Sequence, residues 1–205
     1  MDTRQGYLEI ILGSMYAGKT SKILEIYKQC LFCNIPVSII NHSSDTRYHV
    51  SMLSSHDKIM APCIQAAKLN DVWNYSFVEE PYNTLSENHI LLRSSQVILI
   101  NEGQFFEDLY DVVVDMLEHG KKVYICGLDG DFKKGKFGQI LDLIPHCDSV
   151  TKLTSLCSIC KNGTPGIFSM RVTSEKQQML IGSDNYVPVC RKCYSNNNNN
   201  SNSYS

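Results

Sequence analysis

The stretch "YLEIILGSMYAGKT", Tyr7 to Thr20, decides the fold. Its first half, Tyr7 to Gly13, is a short apolar run ending in glycine, the pattern of a central strand. Its second half, Gly13-Ser14-Met15-Tyr16-Ala17-Gly18-Lys19-Thr20, fits G-x-x-x-x-G-K-[ST] in full, directly after the strand and at the opening of a helix. Backbone N–H groups in such a loop wrap a phosphate chain, supported by the positive end of the helix dipole. Lys19 is expected to neutralise charge at the β- and γ-phosphates of ATP, and Thr20 to offer its hydroxyl to Mg²⁺. The motif speaks for nucleotide binding and is silent about what is done with the nucleotide.

Outward from the loop, "KTSKILEIYKQCLF" places Ile23, Leu24, Tyr27 and Leu31 at helical spacing. "PVSIIN" (Pro36 to Asn41), "VILIN" (Val97 to Asn101) and Val123 to Cys126 read as further strands. Between the last two, "FEDLYDVVVDMLEHG" carries Leu109, Val112, Val113, Met116 and Leu117 on one helical face, with Gly120 placed to stop it. Strands alternating with helices, each strand apolar on both faces, predict an α/β fold: a P-loop parallel sheet flanked by helices. The polar stretch from Tyr82 to Asn88 reads as a loop with local disorder. There is no internal repeat.

A chain of 205 residues with 43% hydrophobic and 20% charged residues suits one moderate soluble domain, with room for a small appendage. The formal charge of −2 argues against a general nucleic-acid binder. No apolar run approaches the roughly 20 residues that span a bilayer. "MDTRQGYLEI" lacks the basic-then-apolar pattern of a signal peptide, so a cytoplasmic location is expected.

The nine cysteines are odd in number and come without a secretion signal, so metal ligation explains the paired ones better than disulfides. Cys157-Ser-Ile-Cys160 and Cys190-Arg-Lys-Cys193 have the spacing of two zinc knuckles. Four thiolates close a structural site with no open position for catalysis. Cys30 and Cys33 have no partner pair and, like Cys63, Cys126 and Cys147, are expected to serve packing. Helical periodicity is lost from about Cys147. The chain therefore divides into a nucleotide-binding α/β domain over 1–150, a zinc-stapled unit over 151–194 and a disordered Asn/Ser-rich tail over 195–205. A zinc ribbon by itself would suggest nucleic-acid binding, but aromatic residues interleaved with its basic ones are sparse.

Taken in order, the P-loop, "DTRY" (Asp45 to Tyr48), "NEGQFF" (Asn101 to Phe106), "GLDGDF" (Gly127 to Phe132) and the C-terminal cysteine pairs resemble the type II thymidine kinases from Leu8 to Tyr194. The resemblance implies an α/β nucleotide-binding domain with a zinc-bearing lasso that closes over the nucleoside. It implies transfer from ATP-Mg to the 5′-hydroxyl of thymidine, and commonly deoxyuridine, by a homotetramer inhibited by thymidine triphosphate. Glu102 matches the family's base, and Arg47 the group that stabilises the transferred phosphoryl, with Asp45 holding Arg47 or a metal-bound water. Thr46, Asn101, Gly103 and Gln104 fall beside the nucleotide. Met15, Phe105, Leu128, Phe132 and Phe137 fall around the base and sugar. Ser169 falls near the thymine methyl; the lasso stretch Gln178, Met179, Leu180, Ile181 and Gly182 reads the thymine edge, and Tyr186 completes the lid.

The sequence departs from that pattern in three places. Asn101 stands where the family has Asp, which predicts a weaker Mg²⁺ dependence or a lower rate, because an amide gives a hard cation less electrostatic help. Ser169 stands where threonine is common, which predicts looser rejection of deoxyuridine. "KNGTPGIFSMR" between the first knuckle and the lasso is about two residues longer than in many relatives, by the same resemblance. Two other readings compete. A GTPase or ATPase switch lacks its D-x-x-G and N-K-x-D motifs. A catalytically weak P-loop and zinc-ribbon protein, regulatory or nucleic-acid-binding, is kept in play by Asn101.

Overall fold

The computed structural model describes residues 5–45, 52–54, 59–73, 86–175, 177–178 and 185–201. In chain order its first half runs β1 (Tyr7–Gly13), α1 (Lys19–Phe32), β2 (Val37–His42), β3 (Met52–Ser54), β4 (Met60–Pro62) and β5 (Ile64–Ala66). Then come α2 (Glu87–Ser94), β6 (Val97–Asn101), α3 (Leu109–Glu118), β7 (Lys122–Gly127) and β8 (Ser149–Leu153). The C-terminal part holds β9 (Ser155–Leu156), β10 (Pro165–Gly166), β11 (Phe168–Arg171), β12 (Tyr186–Val189) and α4 (Arg191–Ser201).

Six strands form one sheet in the order β5-β2-β6-β7-β1-β8, every neighbouring pair parallel. The sheet is covered on both faces because its side chains alternate between two apolar layers. Leu8, Ile10, Ile98, Ile100, Val123 and Ile125 pack with Leu109, Val112, Val113 and Met116 of α3. The intervening residues Ile11, Ile39, Val97, Leu99 and Cys126 pack with Ile23, Leu24, Ile26 and Cys30 of α1. Parallel strands also place all their carboxyl ends on one edge. Gly13, His42, Asn101 and Gly127 end their strands there, the edge where ligands of such sheets bind.

Three features differ from expectation. The edge strand β8 pairs with β1 from Glu9↔Ser149 to Gly13↔Leu153, so the sheet continues across the division drawn after residue 150. Of the stretch read as a loop, Tyr82 to Asn88, residues 82–85 lie outside the described residues. Glu87 already belongs to α2, whose N-cap is Ser86 with its hydroxyl accepting from His89 N–H. The tail read as disordered from residue 195 is helical as far as Ser201. Helix propagation is cheap once a first turn is fixed, and here Cys190, Cys193 and Tyr194 fix that turn against β11 and β12. Among the described residues, no helix is long and apolar enough to cross a membrane.

Candidate active site

The P-loop runs from β1 into α1. Gly18 is the N-cap residue of α1 at φ 85, a left-handed conformation that glycine adopts without strain. Lys19 is buried and its Nζ donates to the Ser14 carbonyl at 2.8 Å, which keeps the ammonium at the loop. Thr20 lies in the first turn of α1, with Ala17 N–H bonded back to the Ser14 carbonyl. The loop is also tied to the C-terminal unit. Ser14 Oγ donates to the Gly166 carbonyl at 2.7 Å, and Met15 N–H donates to Ser169 Oγ at 2.9 Å. Two consecutive loop residues therefore rest on the segment between the two cysteine pairs.

Glu102 follows the last residue of β6 and sits at φ 55, ψ 42, an unfavourable left-handed conformation for a residue with a side chain. Gln104 holds it there. Its side-chain carbonyl accepts Leu128 N–H at 3.0 Å, so its amide nitrogen faces Glu102 and donates to Oε2 at 2.7 Å. This brace requires glycine around it: a Cβ on Gly127 would lie 2.4 Å from Gln104 Oε1, and one on Gly138 (φ 63) only 2.2 Å from the Gln104 carbonyl oxygen.

Asn101 faces the α1 side of the sheet and is 1% exposed. Its Nδ2 donates to Asn41 Oδ1 at 2.8 Å, and its Oδ1 accepts the Cys126 thiol at 2.9 Å. Asn41 and Asn101 are register partners across β2 and β6. Asn101 is thus part of a satisfied buried polar cluster, and Cys126, expected to serve packing, also donates to it. Beside it, His42 lies at ring-centroid distances of 5.5 Å from Phe105 and 4.8 Å from Phe106. Burial pushes the His42 pKa below its ordinary value, against a backbone bond at Ala67 and the charges of Glu102, Asp108 and Asp45.

Met15, Phe105, Leu128, Phe132 and Phe137 are all half-buried. Phe105 and Phe137 meet edge-to-face at 5.5 Å. Ser169 is buried, and Tyr186 pairs with Arg171 across β11 and β12. Gln178 Nε2 donates to Asp131 Oδ2 at 2.8 Å, which joins the stretch after β11 to the "GLDGDF" turn. Asp45 N–H bonds to the His42 carbonyl, placing Asp45 just beyond β2. Thr46, Arg47, Met179, Leu180, Ile181 and Gly182 lie outside the described residues.

The C-terminal unit has its own small core of Cys157, Met170, Val189, Cys190 and Tyr194. The sulfurs of Cys157, Cys160, Cys190 and Cys193 all lie within 4.8 Å of one another. Cys160 Sγ is 3.7 Å from that of Cys190 and 3.4 Å from that of Cys193. Zinc–sulfur bonds of about 2.3 Å in a tetrahedron need sulfurs roughly 3.8 Å apart, so the donor set fits zinc. Burial opposes a Cys157 thiolate, yet backbone N–H groups of Cys160, Cys190 and Ile159 bring its pKa down to about 6. Thiol contact with Cys160 pushes Cys193 up to about 12, a conflict that a cation would resolve.

Residues 6–194 match the family model described as "Thymidine kinase". The chain belongs to this family. It is 36% identical over 192 residues to the "Thymidine kinase" of Oryza sativa subsp. japonica, covering 92% of this chain and 66% of the rice protein. It is 34% identical over 200 residues to the "Thymidine kinase" of Yaba monkey tumor virus, covering 97% of this chain and 100% of the viral one. It is 32% identical over 191 residues to "Thymidine kinase, cytosolic" of Bos taurus, covering 93% and 72%. Within this thymidine kinase family member, sequence reasoning missed His42, Asn41 and the bracing role of Gln104. Two polar residues ending a buried strand, "NH" after "VSII", were the available signal for the first two.

Proposed function

We propose that the chain is a thymidine kinase that transfers the γ-phosphoryl group of ATP to the 5′-hydroxyl of thymidine. The observation that carries this is convergence: the P-loop, Glu102 on its Gln104 brace and the Phe105–Phe137 pair share one sheet edge, with Ser169 bonded to the loop. Phosphoryl transfer needs positioning, charge stabilisation and an acceptor for the hydroxyl proton. Loop N–H groups and Lys19 hold the phosphates, and Glu102 takes the proton. Thr20 would hold Mg²⁺, which when bound offsets phosphate charge. Arg47, with Asp45, is assigned to the transferred phosphoryl by resemblance, as Gln178 and residues 179–182 are to the thymine edge. Zinc on the four cysteines keeps the C-terminal unit folded and takes no part in the chemistry. Ser169, already bonded through Oγ, adds no methyl contact of its own, which supports use of deoxyuridine too. A homotetramer in the cytoplasm, inhibited by thymidine triphosphate, completes the reading, and family membership does not favour the regulatory or nucleic-acid-binding alternative.

The test is one assay. Purified protein with ATP, Mg²⁺ and thymidine should form thymidine monophosphate, and Glu102→Gln should lower the rate by about 10²–10⁴. No product above that of the Glu102→Gln control would sink the reading.

A further inference from the structure

Arg171 ends β11 and is 9% exposed, yet it forms no ion pair with a carboxylate among the described residues. Its guanidinium is compensated by oxygens and rings. Nη1 donates to the carbonyls of Glu175 at 2.9 Å and Gln177 at 2.5 Å. Nη2 donates to the Gln178 carbonyl at 3.1 Å and to the Tyr186 hydroxyl. The guanidinium carbon lies 3.8 Å from the Phe132 ring centroid and 5.0 Å from that of Tyr186. One planar cation thus touches Phe132 of the "GLDGDF" turn and Tyr186 of β12. Strand alternation puts Arg171 on the same face of β11 as Ser169, which meets the P-loop, while Phe168 and Met170 pack toward the zinc core.

We infer that Arg171 is a positioning residue for the nucleoside slot: its guanidinium fixes the distance and tilt between the Phe132 and Tyr186 walls. The inference rests on the proposed function, which assigns those two rings to the nucleoside. Burying a cation without a bonded carboxylate is costly unless its donors are satisfied; here three backbone carbonyls and the Tyr186 hydroxyl take four of the five N–H donors, and Nε alone has no partner among the described residues. Lysine cannot substitute: a point charge neither stacks flat on Phe132 nor forks to several oxygens at once. Among the described residues Arg171 bonds to none of the P-loop, so its loss should leave ATP alone. A merely structural strut would behave differently, moving zinc content and both Michaelis constants together.

The experiment measures steady-state kinetics and zinc content for the full-length parent, Arg171→Lys, Arg171→Met, Phe132→Leu and the double variant Phe132→Leu/Arg171→Met. Arg171→Lys and Arg171→Met should keep their zinc and their KM for ATP, while KM for thymidine rises about tenfold. The double variant should be little worse than its worse parent, because Arg171 acts through Phe132. An active parent whose Arg171→Lys form keeps its thymidine KM overturns the inference alone. So does loss of zinc from Arg171→Lys, or full additivity in the double variant. A parent that makes no thymidine monophosphate overturns the proposed function and this inference with it.

Discussion

The sheet and the C-terminal unit are held together by different physics. The sheet is sandwiched between two apolar layers, one under α3 and one under α1, in which most central strand residues are fully buried. Among its described residues the C-terminal unit has a core of five, two of them cysteines of the four-sulfur cluster. A core that size does little to offset the entropy of ordering its chain, and a metal on the four cysteines would supply the difference. The contrast is functional as well. The sheet carries the P-loop and Glu102, and the cysteine-bearing unit reaches back to the loop through Gly166 and Ser169. A perturbation of the cysteine-bearing unit should therefore reach the P-loop through these two hydrogen bonds.

Chelation should break the comparison most completely. Structural zinc contributes about 10–16 kcal/mol of apparent binding free energy at neutral pH, which the small core cannot replace. Stripped protein should lose thymidine binding and the β11–β12 pair, while the sheet still melts cooperatively. ATP affinity should fall only modestly, through lost support at Ser14 and Met15. Calorimetry with ATP titration checks this, and an unchanged single melt with normal thymidine binding would overturn it. The reciprocal perturbation is Ile100→Ala, in a fully buried sheet position. It should cost about 2–5 kcal/mol of global stability. Bound zinc, measured by metal analysis, should stay at the parent level.

The sheet was legible because buried parallel strands are apolar on both faces: Val97 to Asn101 has the same bounds in the sequence and in the structure. The short strands β3 and β4 and the helix α2 were not, because three residues are too few to show an alternation and α2 buries only Leu92, too little for a helical apolar stripe. The cysteine ligands were legible because ligation chemistry demands fixed spacing. Arg171 was not, since its partners are backbone carbonyls and ring faces, which leave no trace in residue type. Asn101 was legible as a departure, but its partner Asn41 lies sixty positions away and only the register joins them.

That pair gives an intermediate prediction within the stable part. Asn101→Asp keeps an acceptor for the Cys126 thiol but loses the donor to Asn41, so two oxygens face each other until the Asn41 amide turns over. A carboxylate at a position 1% exposed should lower stability by about 1–3 kcal/mol. The same charge, at the metal-side end of β6, should raise the rate when Mg²⁺ is limiting. Melting curves and rates across a Mg²⁺ titration read the two effects separately. A rate at low Mg²⁺ no higher than the parent's would mean the neutral pair is no handicap.

The smallest effect expected is that of pH at His42, which ends β2 and is buried against Phe105 and Phe106. Its Nδ1 accepts Ser44 N–H at 3.1 Å, so a proton added there would face another donor. Burial, the larger influence, also disfavours the charged ring, and the nearby carboxylates Glu102, Asp108 and Asp45 offset it only in part. The folded-state pKa therefore lies below the unfolded value of about 6.5. As pH falls through that value the unfolded chain takes up a proton that the folded one refuses, so stability is whole above it and declines below. Zinc release at acid pH adds its own decline, but it does so equally in a His42→Gln variant. The difference between the two melting profiles from pH 7.5 to 5.5 isolates the imidazole. The parent should lose more stability than the variant on that descent, and parallel profiles would mean the ring titrates as it does in water.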